Sequence, residues 1–349
     1  MKSIFLAVVL SIYFIYSYKN INFYPEDLAL GKENTHVTDY FKGNRINGSN
    51  IDDIKSLYNQ HFLCGNFDKK IIWLGNSQLH TINHYENNQH VSPYWLNFYL
   101  KDIKCLTVLG LSLPNANLKE FLLITQYSIS KANLDTVIIS MVFDDFREGG
   151  PRKDFEKILD ADFEKNVRMP FLNKLDKKIQ ISKKFDQDAK NSELISSKFV
   201  NSIYVPIKNV RENLKAHLMN DLYNLRNFVF HITPSTIRKK IPVNYNENMV
   251  AFKETLELLD RQNIKTIIYI APIRQDLPLP YDLVDYVKWK NEIALFSNQH
   301  KNTIVLNLEE LIPNEEWGLH ASHVDFMHFK AEAHKILALK LYETYLMKR

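Results

Sequence analysis

Short apolar runs alternate with helical patterns along most of the chain. The runs that predict strands are Ile71–Leu74, Leu106–Leu109, Thr136–Val142, Thr266–Ile270 and Thr303–Leu306. They are largely uninterrupted and rich in β-branched residues, which is typical of strands buried on both faces of a sheet. Helical periodicity falls between them, in Leu118–Ser130, Asn248–Arg261, Leu283–Phe296 and Lys330–Met347. This alternation predicts an α/β fold with a parallel sheet and right-handed crossovers.

Three segments depart from the alternating pattern. Residues 4–18 are apolar apart from two serines, follow Lys2 and lead into no small-residue cleavage site, so residues 1–20 are expected to form an uncleaved signal anchor. The alternative is a buried N-terminal helix of a cytoplasmic protein. Residues 21–60 are polar and rich in Asn, which predicts a linker or an irregular lead-in. A domain is then expected over 61–349, with a helical insertion at about 148–245.

Composition narrows the class of protein only slightly. The chain has 349 residues and a net charge of +4, which is too small to favour nucleic acid as a partner. Residues 151–240 hold 19 Lys and Arg against 11 Asp and Glu, so this basic segment suits either an anionic polymer or an ordinary solvated helical surface. The two cysteines, Cys64 and Cys105, can pair in an oxidising compartment, but the sequence leaves their pairing open.

Polar residues follow the ends of the predicted strands. Ser77 follows the first, Ser112 the second and Asp144 with Asp145 the third; Arg274 and Asp276 follow the fourth. Ligands of open parallel sheets bind outside the carboxyl ends of the strands. The sequence therefore predicts an active site at this edge of the sheet.

Two short segments supply the parts of an activated nucleophile. Ser77 lies in Gly75-Asn76-Ser77-Gln78, where Gly75 is expected to permit a tight turn and Asn76 a left-handed backbone. Asp325 and His328 are three residues apart near a helix start, so the carboxylate can orient the imidazole as a base for the Ser77 hydroxyl. The alternatives are a simple helix cap at Ser77 and an exposed loop histidine at His328.

A metal site is a rival interpretation of the same region. His320, His323, Asp325 and His328 are acceptable zinc ligands, and His80 and His84 are spaced as an i,i+4 pair on the helix expected after Ser77. No rigid His-x-x-x-His pair with an adjacent catalytic acid occurs in the C-terminal group. We therefore expect no metal and no other cofactor.

These segments resemble the conserved blocks of SGNH (GDSL-type) hydrolases. Gly75-Asn76-Ser77-Gln78 resembles the first block, with Asn76 in the usual Asp place; Gly110 resembles the second-block glycine, and Asp325-x-x-His328 resembles the fifth block. The resemblance covers about 70–145 and 247–345. It implies a three-layer α/β/α fold of flavodoxin-like type with a five-stranded parallel sheet. It also implies a catalytic triad of Ser77, His328 and Asp325, with the Ser77 and Gly110 amides holding the oxyanion.

The third block departs from the family pattern of Gly-x-Asn-Asp. Asp144 stands at the place of the Asn that donates to the oxyanion, and an ionised Asp would repel that oxyanion. Three outcomes stay open: Asp144 is turned away and Asn115 or Asn117 donates instead, Asp144 is protonated, or the protein is weakly active or inactive. Asn115 is the candidate third donor, and Arg274 and Asp144 are candidate substrate-binding residues; Arg274 alternatively forms an ion pair with Asp276 or Asp145.

With an N-terminal anchor, the chain also resembles acyl-transfer proteins of bacterial envelopes, such as alginate O-acetyltransferases and the D-alanyl transfer protein of teichoic acid synthesis. The resemblance implies a membrane-anchored, extracytoplasmic serine esterase or O-acyltransferase that acts on an envelope polysaccharide. A membrane-bound O-acyltransferase is the partner it implies. The alternative is an inactive protein of the same fold that binds glycan or assists its assembly. The sequence leaves open the acyl group, the polymer, the acceptor and the oligomeric state.

Overall fold

The computed structural model describes residues 33–60, 69–158, 236–320 and 323–347. In chain order the strands are β1 (Asn34–His36), β2 (Tyr40–Phe41), β3 (Asn44–Arg45), β4 (Asn47–Gly48), β5 (Lys69–Gly75), β6 (Thr81–Asn83), β7 (Leu106–Ser112), β8 (Asn133–Met141), β9 (Lys265–Ile270), β10 (Thr303–Asn307), β11 (Trp317–His320) and β12 (His323–Phe329). The α-helices are α1 (Ile51–Tyr58), α2 (Ser77–His80), α3 (Ser92–Tyr99), α4 (Leu118–Lys131), α5 (Pro242–Arg261), α6 (Leu283–Ser297) and α7 (Ala331–Met347).

A parallel sheet with strand order β10-β9-β8-β5-β7-β4 forms the centre of the fold. Its first five strands coincide with the five predicted from the apolar runs, so the predicted α/β class and parallel sheet are confirmed. The sixth strand, β4, has two residues and pairs with Gly110 and Leu111 of β7. Strand β4 was not predicted because neither of its residues, Asn47 and Gly48, is apolar. Central β5 places its carboxyl end, and with it Ser77, in the middle of the sheet edge.

Helices flank the sheet, which gives the expected three layers. Trp73 of β5 and Ile138 of β8 pack with Leu96 of α3 and Leu337 of α7 in one hydrophobic core. A second pair of helices, α4 and α5, pack against each other. Helix α5 begins at Pro242, earlier than predicted, because proline is well tolerated in the first turn of a helix.

The segment expected to be a linker is part of the folded domain wherever it is described. Residues 33–60 contribute β1 to β4 and α1, and Ile46, Ile54 and Leu57 are fully buried. Strand β1 pairs antiparallel with β6, which follows Ser77 closely in the chain. Of the two expectations, linker or irregular lead-in, residues 33–60 match the irregular lead-in, and a few widely spaced apolar residues anchor this otherwise polar segment in the domain.

Two other expectations fall mostly on residues outside the described part of the chain. The anchor at 1–20 lies there entirely, and none of the described helices is long and apolar enough to cross a membrane. The described ends of the expected insertion, 148–158 and 236–245, pack on the domain, where Phe155 and Tyr245 are buried; residues 159–235 are not described. Cys105, which precedes β7, is disulfide-bonded.

Candidate active site

Ser77 is the first residue of the short helix α2, directly after β5. The Asn76 side chain caps this helix by accepting the Gln78 N–H at 3.0 Å. The backbone of Asn76 is extended, with φ −103°, so the expected left-handed turn was wrong. Gly75 is needed for space instead, because a Cβ there would lie 2.9 Å from Leu79 Cβ. Ser77 is partly exposed between buried neighbours, so its hydroxyl is presented at the sheet edge.

Ser77, His328 and Asp325 form a continuous hydrogen-bonded chain. Ser77 Oγ lies 2.9 Å from His328 Nε2, although the two residues are 251 positions apart. His328 Nδ1 lies 2.9 Å from Asp325 Oδ2. Asp325 and His328 are buried, whereas Ser77 is reachable from solvent. This is the arrangement that activates a serine hydroxyl as a nucleophile.

A bulge in a β-hairpin brings Asp325 and His328 to the same side. Residues three apart on a regular strand point to opposite faces. In the β11–β12 hairpin, however, Val324 pairs with Leu319 and Phe329 with Trp317, so residues 325–328 stand opposite the single residue Gly318. The extra residues fold back on themselves, and Asp325 Oδ1 accepts the N–H groups of Met327 and His328 at 2.8 and 3.1 Å. The hairpin itself was not predicted from the sequence.

The carboxylate of Asp325 is held in its charged form. Burial by itself raises the pKa of this group. The electrostatic attraction and hydrogen bond of His328, helped by the two backbone N–H donors, lower the pKa by more than burial raises it. The net effect lowers the Asp325 pKa to about 2. A charged carboxylate beside an imidazole stabilises the protonated form of that ring.

Two residues that the sequence analysis missed, or gave no role, fix the triad in place. Gln78 is buried, and its Nε2 donates to the Met327 carbonyl at 2.8 Å and to the Pro272 carbonyl at 3.2 Å. It thereby joins helix α2, which begins at Ser77, to strand β12, which carries His328. Asn34 donates from Nδ2 to Asp325 Oδ2 at 3.2 Å. No local pattern signals either contact, since the partners lie far apart in sequence.

Of the three expected oxyanion donors, Gly110 is ruled out by its position. It lies inside β7, and its N–H donates to the Ile46 carbonyl at 2.8 Å. Gly110 is required for packing, because a Cβ there would lie 2.6 Å from Pro93 Cγ. The Ser77 N–H, at the start of α2, donates to no group within the described residues. Asn115 is exposed on the loop after β7, with φ 48°.

Asp144 is engaged by positively charged neighbours. Its carboxylate accepts from Arg147 at 2.8 Å and from Arg238, and the Tyr281 hydroxyl donates to it at 3.2 Å. Arg238 also lies over the Phe326 ring, 4.8 Å from its centroid, next to Asp325 in the chain. The negative charge of Asp144, which was expected to oppose an oxyanion, is therefore balanced by ion pairs with two guanidinium groups.

Arg274 has a structural position that differs from the expected substrate-binding one. Its guanidinium makes a bidentate ion pair with Asp276 at 2.6 and 3.0 Å. The same group donates to the carbonyls of Gly318 and Asp325 at 3.0 and 3.4 Å. Its side chain is only 11% exposed. Arg274 therefore binds the hairpin that carries Asp325 and His328.

Asp145 lies beneath the nucleophile turn and is fully enclosed. Burial is the main cause that raises its pKa well above the usual value, although hydrogen bonds from Asn76 and the Val142 N–H act in the opposite direction. The Asn76 amide donates to it at 3.2 Å. Asp145 thus joins the helix cap of Ser77 to the end of β8.

The histidines near Ser77 that were considered as metal ligands do not lie on the same element. Helix α2 ends at His80 and β6 follows, so His84 does not share a helix with His80. The buried His80 has its pKa lowered well below the usual value, first by burial and then by neighbouring histidines, and its Nδ1 lies 2.9 Å from Ser112 Oγ. Across the described ranges, no group of three or more His, Cys, Asp or Glu side chains is arranged to hold a metal ion.

Comparisons with known proteins give a distant likeness to esterases and lipases. No family model matches the chain, and no curated protein sequence matches it. Among solved structures, a family two carbohydrate esterase from Clostridium thermocellum is 8% identical, with a TM-score of 0.38 over 80% of this chain and 64% of the esterase, less than two thirds of its length. A GDSL-like lipase from Bacteroides thetaiotaomicron is 10% identical, with a TM-score of 0.36 over 79% of this chain and 88% of the lipase. An alpha/beta hydrolase enzyme from the metagenome of Lake Arreo, Spain, is 9% identical, with a TM-score of 0.38 over 80% of this chain and 97% of that enzyme. A functional assignment therefore depends on the geometry of the site.

Proposed function

We propose that this protein is a serine esterase or O-acyltransferase of the SGNH type. The observation that carries the proposal is the hydrogen-bonded chain from Ser77 Oγ through His328 to Asp325, with both links at 2.9 Å. Asp325 is charged and buried, His328 is oriented by it, and Ser77 faces solvent. Each group has the environment that its role in acyl transfer requires.

The reaction proceeds in two acyl-transfer steps. Ser77 Oγ bonds to the ester carbonyl carbon while its proton passes to His328 Nε2. The oxyanion of the tetrahedral intermediate faces the Ser77 N–H, with Asn115 on the neighbouring loop as the second donor. Collapse of the intermediate breaks the ester C–O bond, and His328 returns the proton to the leaving alcohol. The acceptor hydroxyl then attacks the acyl carbon while its proton passes to His328 Nε2. Collapse of this second tetrahedral intermediate breaks the bond between the acyl carbon and Ser77 Oγ, and His328 returns the proton to Ser77.

The acceptor defines the finer assignment. Water as acceptor makes the protein an esterase, whereas a sugar hydroxyl makes it an O-acyltransferase. We propose an envelope polysaccharide as the polymer, an extracytoplasmic location with an N-terminal anchor, and a membrane-bound O-acyltransferase as partner. The apolar run near the N-terminus and the disulfide-bonded Cys105 support export, because structural disulfides persist in oxidising compartments.

A serine-directed fluorophosphonate probe tests the core of this proposal. We expect it to label the wild-type protein and to leave Ser77→Ala unlabelled, and we expect Ser77→Ala to lower the rate of p-nitrophenyl acetate hydrolysis by at least about a thousandfold. Ser112→Ala is the matched control, since Ser112 also ends a strand of the sheet and contacts a histidine. Labelling that persists in Ser77→Ala and disappears in Ser112→Ala would assign the nucleophile to Ser112, at the end of β7, and would contradict this mechanism.

Two departures from the family pattern favour the inactive glycan-binding alternative: Asp144 at the place of an oxyanion donor and Asn76 in the usual Asp place. The structure gives both residues other partners: Asp144 is paired with two arginines, and Asn76 caps α2 and contacts Asp145. The labelling experiment also addresses this alternative. A protein that is not labelled but binds an anionic glycan, with an affinity that falls steeply as salt rises, would be the binding protein.

A further inference from the structure

A buried pair of asparagines continues the triad beyond Asp325. Asp325 Oδ2 receives two donors, His328 Nδ1 at 2.9 Å and Asn34 Nδ2 at 3.2 Å. Asn34 in turn accepts from Asn83 Nδ2 through its Oδ1 at 3.0 Å. Asn34 is 9% exposed and Asn83 is fully buried, so water does not compete for these contacts.

The contacts of Asn83 settle which way the Asn34 amide points. Asn83 donates from Nδ2 to the Leu319 carbonyl at 2.6 Å, and the Leu319 N–H donates to Asn83 Oδ1 at 3.1 Å. Because this backbone pairing fixes the Asn83 amide, its second Nδ2 hydrogen faces Asn34 Oδ1. The donor end of Asn34 must then face the Asp325 carboxylate.

The same pair closes a ring around the site. Asn34 and Asn83 are register partners on β1 and β6, and β6 continues directly from α2, which begins at Ser77. The ring therefore runs from Ser77 through His328, Asp325 and the two asparagines back to the nucleophile helix. Gly318 leaves room for it, since a Cβ at Gly318 would lie 1.9 Å from Asn83 Cγ.

We propose that Asn34, oriented by Asn83, is a positioning residue that holds the Asp325 carboxylate toward His328. The inference rests on the proposed acyl-transfer function for its catalytic meaning. Asn34 shares the charge of Asp325 Oδ2 and limits how strongly the carboxylate holds the His328 proton. Without this donor, Asp325 is less well oriented and binds the imidazolium more tightly.

The pH profile of kcat/KM for p-nitrophenyl acetate, in the full chain, distinguishes positioning from simple structural support. We expect Asn34→Ala and Asn34→Leu, which both remove the donor, to lower kcat by about tenfold or more with little change in KM. We expect the acidic limb to move to higher pH in both variants, because Asp325 then holds the His328 imidazolium more tightly. Thermal unfolding of each variant checks that it is folded.

Asn47→Ala is the matched control for damage to the same segment. Asn47 is a buried asparagine of β4 that bonds to Asp39 N–H and the Val37 carbonyl and makes no contact with the triad. It is expected to lower thermal stability without moving the acidic limb. An equal displacement of the limb in Asn47→Ala, or an unmoved limb in folded Asn34→Leu, would overturn the proposal.

A second readout separates this inference from the proposed function. The pH midpoint of the His328 ring signals, followed by NMR in the Ser77→Ala background, needs no turnover. We expect this midpoint to rise when Asn34→Leu is added, because Asp325 loses a donor. If wild type shows no Ser77-dependent hydrolysis, the proposed function fails while a raised midpoint still supports the role of Asn34. An unchanged midpoint overturns that role whatever the activity.

Discussion

Two buried aspartates near the nucleophile respond to their surroundings in opposite ways. At Asp325, burial is outweighed by His328 and backbone donors, and the pKa falls from 3.8 to about 2. At Asp145, burial prevails and the pKa rises well above 3.8. A carboxyl with a lowered pKa adds stability above its unfolded pKa, whereas one with a raised pKa removes stability there.

The pH dependence of unfolding therefore separates these residues. The contribution of Asp325, about 2 kcal/mol, is fully present above the unfolded pKa and is lost as pH falls through about 2. We expect the difference in unfolding free energy between wild type and Asp325→Asn, measured with urea, to shrink as pH falls from about 5 to about 2. Asp145→Asn is the counterpart: its unfolding free energy should rise relative to that of wild type as pH rises above 3.8. Parallel curves for all three proteins would contradict both assignments.

At this scale, the sequence predicted that Ser77, His328 and Asp325 lie together, but not which residues hold them there. Ser77, Asp325 and His328 stand in short segments whose residue types suggest chemistry. Gln78 and Asn34 act through contacts with residues 249 and 291 positions away, and buried amides carry no periodic signal. Gly110 shows the reverse error, since a glycine that resembles an oxyanion donor lies inside β7, where its N–H donates to Ile46 and a Cβ would clash with Pro93.

At the scale of elements, periodicity predicted the long strands and missed the hairpin on which the site depends. The five long strands are apolar because both faces are buried, so their pattern is readable. The hairpin of β11 and β12 contains a bulge at 325–328, which removes strand alternation where the functional residues lie. Bulges of this kind re-aim side chains beside active sites. The pattern failed there because the geometry that brings Asp325 to His328 requires the irregularity.

Arg274 holds this hairpin, and its replacement should disturb catalysis rather than substrate binding. Arg274→Met removes the donors to the Gly318 and Asp325 carbonyls, so the bulge is less well fixed. We expect kcat to fall by about tenfold with a similar KM for a neutral and an anionic p-nitrophenyl ester, because about two hydrogen bonds are lost. Arg261→Met, at an exposed arginine of α5, is the control. A rise in KM for the anionic ester alone would instead assign Arg274 to the substrate.

At the scale of the whole molecule, residues 33–60 belong to the domain although the sequence placed the domain boundary at 61. They add β4 to the sheet edge, bury Ile46, Ile51, Ile54 and Leu57, and bring Asn34 to Asp325. The sequence did not reveal this because the segment has no regular period: its apolar residues are few and its strands have two or three residues each. A domain boundary depends on how much apolar surface each segment buries, and this area cannot be judged well from local composition.

A chain that begins at residue 61 should therefore fail to fold. Burying an aliphatic side chain is worth about 1.5–3 kcal/mol, so losing four removes a sum comparable to the about 5–15 kcal/mol that stabilises a typical domain. The missing β4 also leaves the Gly110 N–H without its Ile46 partner at the edge of β7. We expect a cooperative thermal transition from a chain beginning at residue 21, and none from the shorter chain. If residues 61–349 unfold cooperatively at the same temperature, 33–60 is an accessory segment and the site does not need Asn34 for its integrity.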